Sequence, residues 1–287
     1  MSQVLVANPA KASTTDHVRL AVGAVAIVAV YGPVFPPLVS DWATFPSLSH
    51  GFAVPLIAAW LVWARRHEIG QLAFRPAWSG LALVVGGLAL YTAGTWAAEP
   101  FLARISLPFA LLGTVLYLGG PRVTRELLPG IGYLFFMIPP PYLILKALTD
   151  QARLMDATVT AAILPWLGVP VYQEGFLLHL PNMTLEVADV CSSIPATVAL
   201  LALGAAYGYL NRRPRAIRII LLVAAVPLGV GSNIFRILIT AAGAYYLGPI
   251  ALHNVIHMWN GATVFLLTFG ALAVLDAGLR QLYPERG

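Results

Sequence analysis

The feature that most constrains this chain is a succession of apolar segments, several of them close to twenty residues long, set between short arginine-bearing stretches. They fall at residues 20–40, 52–63, 79–96, 101–119, 127–138, 192–210, 217–247 and 255–277. A helix needs about 20 apolar residues to cross a hydrocarbon core of roughly 30 Å. Inside lipid, a segment must satisfy its own backbone polar groups, which an α-helix does and an open strand does not. Composition agrees: 59% of residues are apolar, 10% are charged and the mean hydropathy is +0.80. The expected fold is an all-α integral membrane protein, a polytopic bundle of about eight transmembrane helices. The second and fifth segments are short, and the fifth ends in Pro139-Pro140-Pro141.

Charge sets the orientation. Seventeen Lys and Arg face twelve Asp and Glu, a net +5. With the N-terminus inside, thirteen of the seventeen basic residues fall in inner segments, among them Arg65, Arg66, Arg122, Arg125, Arg212, Arg213, Arg215 and Arg218. Basic loops stay on the cytoplasmic side. Both termini are therefore expected inside, and the excess charge is topological, so no nucleic-acid partner is expected. The expected organisation is a disordered cytoplasmic N-terminus (1–18), one transmembrane domain (19–280) and a cytoplasmic tail (281–287). The apolar stretch after Arg19 carries Pro33, Pro36 and Pro37 without a small-x-small cleavage site, and reads as a retained span. The outer side holds residues 142–188. There, 142–167 suits an interfacial helix interrupted by Lys146, Asp150, Arg153 and Asp156. Residues 169–187 read as two short strands, a β-hairpin with turns at Glu174-Gly175 and Pro181-Asn182.

That hairpin delivers the chain to Cys191, the one cysteine, so no internal disulfide can form. Two polar side chains in later apolar segments, Arg236 and His257, are costly at membrane depth. Arg236 lies nineteen residues beyond Ile217, about 28 Å along a helix running outward. His257 sits in the first turn of the last span, which runs back inward. Cys191, Arg236 and His257 are thus expected at one level, the outer interface. Asp189 is expected to cap the following helix, with Cys191 in its first turn, where unpaired N–H groups favour a thiolate. Glu186 and Asp189 oppose that charge, which calls for the cations Arg236 and protonated His257. The chemistry assigned is Cys191 as nucleophile, His257 as base and then acid, and Arg236 as stabiliser of a tetrahedral oxyanion. Asn233 is expected to orient the guanidinium.

Blander readings exist for each residue. A buried cysteine is a small hydrophobe, an arginine snorkels to the interface, and a histidine bonds a carbonyl. Gly204 and Gly208 form a small-xxx-small pair suited to helix packing. His253 and His257 share a helix face as in a zincin motif, but Asn254 stands where the general-base glutamate belongs and no third ligand is evident. Neither a metal nor a cofactor is expected.

At these residues the chain resembles the exosortase/archaeosortase family of membrane-embedded cysteine transpeptidase-like proteins. The resemblance is carried by His50-Gly51 before Val54-Pro55, Trp63-Ala64-Arg65-Arg66, Phe136–Pro141, Gly168–Val171 and Gly175. It continues through Leu185–Ser193, Asn233-Ile234-Phe235-Arg236-Ile237, and His257 with Gly261 and Phe265. The family's Cys, Arg and His map to Cys191, Arg236 and His257, with His253 the competitor for the last. The family's cysteine is commonly followed by Ser-Gly, an apolar residue and Arg; here Ser192-Ser193-Ile194-Pro195 follows, without that second arginine. The resemblance implies a bacterial inner-membrane enzyme with its active site at the periplasmic face. Its substrates would be exported proteins ending in a short motif, often Pro-Glu-Pro, a transmembrane helix and a basic tail. Cleavage would give a thioacyl-enzyme, resolved by water or by an amine on a surface polymer or lipid. A transporter or export subunit linked to exopolysaccharide, binding an anionic substrate at Arg236 and His257, is the alternative.

Overall fold

The computed structural model describes residues 13–249 and 254–282, and gives the backbone alone for Pro46, Val190, residues 254–260 and residue 282. The chain forms two compact units that meet in sequence at Pro141 and Tyr142. Among the described residues, five helices are long and apolar enough to cross a bilayer, or six if a bent pair is one span. The architecture is all-α and polytopic, with one small sheet.

The first unit opens with α1 (Thr14–Val30), started by a capping box between Ser13 and Asp16. The segment expected as one span at 20–40 bends by 50° into α2 (Phe35–Thr44). Pro33, Pro36 and Pro37 remove three backbone donors there, so a straight ladder cannot continue. The expected span at 52–63 is α3 (Ala53–Trp63), only 11 residues. At 1.5 Å per residue it reaches about 16 Å, half a hydrocarbon core. After the short α4 (Arg66–Gly70), α5 (Ser79–Trp96) packs on α6 (Pro100–Tyr133) through glycines so closely that a Cβ on Gly80 would lie 2.2 Å from the Tyr117 nitrogen. The two spans expected at 101–119 and 127–138 are one 38-residue apolar unit, Pro100–Met137, broken at Gly120. Gly120 has φ 82°, and a Cβ there would sit 1.9 Å from the Arg75 carbonyl oxygen; only glycine fits. Two stretches that carried the resemblance also meet in this unit: a ring nitrogen of His50 lies 3.1 Å from the Phe136 carbonyl oxygen, and Trp42 donates to the Met137 carbonyl.

The second unit begins with α7 (Tyr142–Ile163). A three-stranded antiparallel sheet follows instead of a hairpin: β1 (Tyr172–Glu174), β2 (Leu177–His179) and β3 (Thr184–Glu186), in that order. The two expected turns are both present, and two turns join three strands. Leu178 pairs with Leu185 on the inner face, and Leu178 packs with Ala157 of α7. Then come α8 (Ser193–Leu210), α9 (Arg215–Leu247) and α10 (Asn254–Leu282). One end of these three helices is tied by Asp276, wholly buried, which holds Arg213, Arg280 and the Tyr207 hydroxyl.

Candidate active site

The antiparallel register of α8 and α9 decides which residues share a level. Gly208 faces Arg218, and Thr197 faces Gly229, where a Cβ would come within 2.7 Å of the Thr197 Cα. Each pair is eleven residues from the other along both helices. Continuing that register past the start of α8 brings Cys191 to the level of Phe235 and Arg236. Both line one cavity of about 230 Å³, together with Leu178, Leu185, Glu186, Val187, Ile237 and Thr240.

Cys191 does not sit in the first turn of α8. It closes a single 3₁₀ turn, Asp189–Cys191, and the helix starts two residues later behind Ser192. Asp189 does not cap α8 either. That task falls to Asp156 of α7, whose Oδ2 accepts the Ser193 N–H at 2.8 Å. The reason is competition: Asp189 is drawn away by Arg153, which also binds Glu186 at 2.9 Å and donates from Nε to the Val187 carbonyl at 2.6 Å. The Arg153 guanidinium lies over the Phe176 ring at 4.1 Å. One buried arginine thus ties β3, the sheet turn and the cysteine turn to α7. Glu186 and Asp189, expected near Cys191, both pair with Arg153.

Asn233, 2% exposed, donates from Nδ2 to the Asp156 Oδ2 at 2.9 Å and to the Cys191 carbonyl at 2.7 Å. Asp156 is fully buried, and burial holds its carboxyl above the ordinary carboxylate range. Hydrogen bonds from Ser193 and Asn233 and the charge of Arg236 pull the other way without cancelling it. A single carboxylate therefore bonds the start of α8 and the asparagine that holds the cysteine backbone, and acts through space on the guanidinium.

Asp156 and Arg153 did not emerge as site residues from sequence reasoning, yet a signal existed. Lys146, Asp150, Arg153 and Asp156 recur at intervals of four, three and three, which is one helix stripe. The Lys146–Asp150 and Arg153–Asp150 ion pairs occupy its near end. Four charges on one stripe of an interfacial helix read equally well as a solvated face, and here half of that stripe is buried.

His253 lies outside the described residues, and so does the His257 side chain. The backbone places position 257 in α10, one turn before Gly261. Gly261 packs against Arg236: a Cβ there would stand 3.4 Å from Nη1. Among the described residues, no group of His, Cys, Asp and Glu has metal-binding geometry.

No curated protein and no solved structure matches the chain. A family model does, the transmembrane exosortase, over residues 42–274. That match covers most of the chain, includes Cys191, Arg236 and His257, and runs through both compact units. The chain belongs to the transmembrane exosortase family, whose members are membrane transpeptidase-type sorting proteins that act on exported substrates.

Proposed function

We propose that this protein is a cysteine peptidase or transpeptidase that cleaves the C-terminal sorting signal of exported proteins. Cys191 is the nucleophile, Arg236 the oxyanion stabiliser and His257 the base and acid. The observation that carries the reading is the shared cavity of Cys191 and Arg236, reached from separate elements through the α8–α9 register. The packing of Gly261 on Arg236 supports the place of His257, since residues four apart in a helix share a face.

In the proposed reaction His257 takes the Cys191 proton and the thiolate sulfur attacks the scissile carbonyl carbon. The developing oxyanion meets the guanidinium of Arg236. The C–N bond then breaks, the imidazolium gives its proton to the departing amine, and a thioester remains on Cys191. An amine on a surface polymer or lipid, or water, attacks that thioester and restores the thiol. No metal or cofactor takes part. Residues 19–280 act as one transmembrane domain in the bacterial inner membrane, between a cytoplasmic N-terminal segment (1–18) and a cytoplasmic tail (281–287). The 142–188 segment is periplasmic. A substrate helix docks from the lipid with its basic tail inside, which leaves its short motif at the depth of Cys191.

The test is processing of a co-expressed, tagged exported reporter ending in Pro-Glu-Pro, a transmembrane helix and an arginine-rich tail. Cys191→Ala abolishes processing. Arg236→Lys keeps the charge but loses the planar fork, and slows processing about 100-fold. Processing retained in Cys191→Ala would sink the assignment.

A further inference from the structure

The strand that leads into the cysteine turn is an edge strand, and it forms part of the wall of the Cys191 cavity. β3 pairs with β2 on one side only, since the order is β1-β2-β3. Its register is fixed by two bonds that flank it: Val187 N–H to the Phe176 carbonyl at 3.0 Å, and Leu180 N–H to the Met183 carbonyl at 2.8 Å. In an antiparallel pair, bonded and unbonded positions alternate. The Met183 carbonyl, Leu185 and the Val187 N–H therefore face β2, while Thr184 and Glu186 turn their N–H and C=O groups away. Those outward backbone groups have no partner among the described residues. Both residues are exposed.

The cavity is lined by Leu185, Glu186 and Val187, three residues in succession. Successive side chains of a strand point to opposite faces of the sheet. Leu178 of β2, Leu185 and Val187 wall the cavity from the inner face of the sheet, and Glu186, whose side chain lies on the opposite face, is reached at the free edge of β3. The cavity continues without interruption to Cys191 and Arg236. The opposite edge of the sheet, β1, contributes nothing to this cavity.

We infer that the exported polypeptide binds by adding a strand to the free edge of β3, its backbone pairing with the outward groups of Thr184 and Glu186 and its scissile bond carried on to Cys191. The inference rests on the cleavage reading above and specifies how the substrate is held. A peptide bond is attacked in an extended chain, and edge addition supplies an extended chain in fixed register without demanding a particular side chain at each position. Three residues make a short edge, and short, charged edges resist indiscriminate pairing. The Arg153 clamp on Val187, Glu186 and Asp189 holds that edge and the cysteine turn as one piece, so strand register and nucleophile position are set together.

The test uses the full-length membrane protein and the reporter described above, and exploits the single native cysteine. In a Cys191→Ala background, Thr184→Cys places one thiol beside the free edge. Tyr172→Cys places one on the same face at the far edge, because His179 pairs with both Tyr172 and Thr184. Single cysteines are moved through successive positions of the reporter around its Pro-Glu-Pro motif, and disulfide cross-links are scored by gel shift. Strand addition gives cross-links to Thr184→Cys that alternate with period two along the reporter, at least five-fold stronger at every second position, and none of that pattern at Tyr172→Cys. Uniform yields, a single peak without alternation, or equal patterns at the two edges would overturn strand addition. If the parent protein processes the reporter in those cases, the cleavage reading stands alone. If the parent does not process it, both fall together.

Discussion

Asp156 shows how much a single buried carboxylate can organise here. It receives the Ser193 N–H and the Asn233 amide, and Asn233 in turn holds the Cys191 carbonyl. Removing its side chain would strand two buried donors, at a cost of about 1–3 kcal/mol each. Its titration has a definite sign. Burial raises the folded pKa above the unfolded value, so the folded state binds the proton more tightly. The stability this provides is fully present below the unfolded pKa and is lost as pH rises through the folded pKa. Asp156→Asn keeps the shape and an acceptor oxygen, and should flatten that part of the stability–pH curve of the detergent-purified protein. An unchanged slope would mean that Asp156 does not carry it. Sequence reasoning reached Cys191, Arg236 and His257 because isolated polar groups stand out in apolar segments. It passed over Asp156 because an acid on an amphipathic helix does not stand out, and it gave capping to Asp189 because nearness in sequence cannot reveal the competing arginine.

The α8–α9 pair is the element that brings Cys191 to Arg236, and Gly229 packs tightly against Thr197 within it. A methyl group at Gly229 would meet the Thr197 backbone 2.7 Å away, so the helices must separate or rotate. Gly229→Ala should lower stability by about 1–3 kcal/mol, read as a reduced Tm in detergent, and cut reporter processing along with it. A variant of parental stability and activity would contradict this packing account. The level shared by Cys191 and Arg236 was legible before any coordinates, because rise per residue along a helix is nearly constant. The number of crossing helices was not. A window of apolar residues looks alike whether it is the 11-residue α3, the far side of the Gly120 break, or a full span.

At the scale of the whole molecule, the charge pattern and the proposed substrate make one demand: the cysteine level must face outward. A membrane-impermeant maleimide applied to intact spheroplasts should label Cys191, and should label a Ser13→Cys variant carrying Cys191→Ala only after the membrane is opened. The reverse pattern would invert the orientation. The all-α, polytopic character followed from composition and segment length alone, whereas the Arg153 clamp depends on contacts between residues more than thirty apart. The most direct measurement for the central claim is mass spectrometry of the reporter's new C-terminus after processing in hydroxylamine. A thioester on Cys191 predicts a C-terminal hydroxamate on the released reporter, absent with Cys191→Ala. A processed reporter ending only in a free carboxylate with the parent protein, or a hydroxamate that persists in Cys191→Ala, would contradict it.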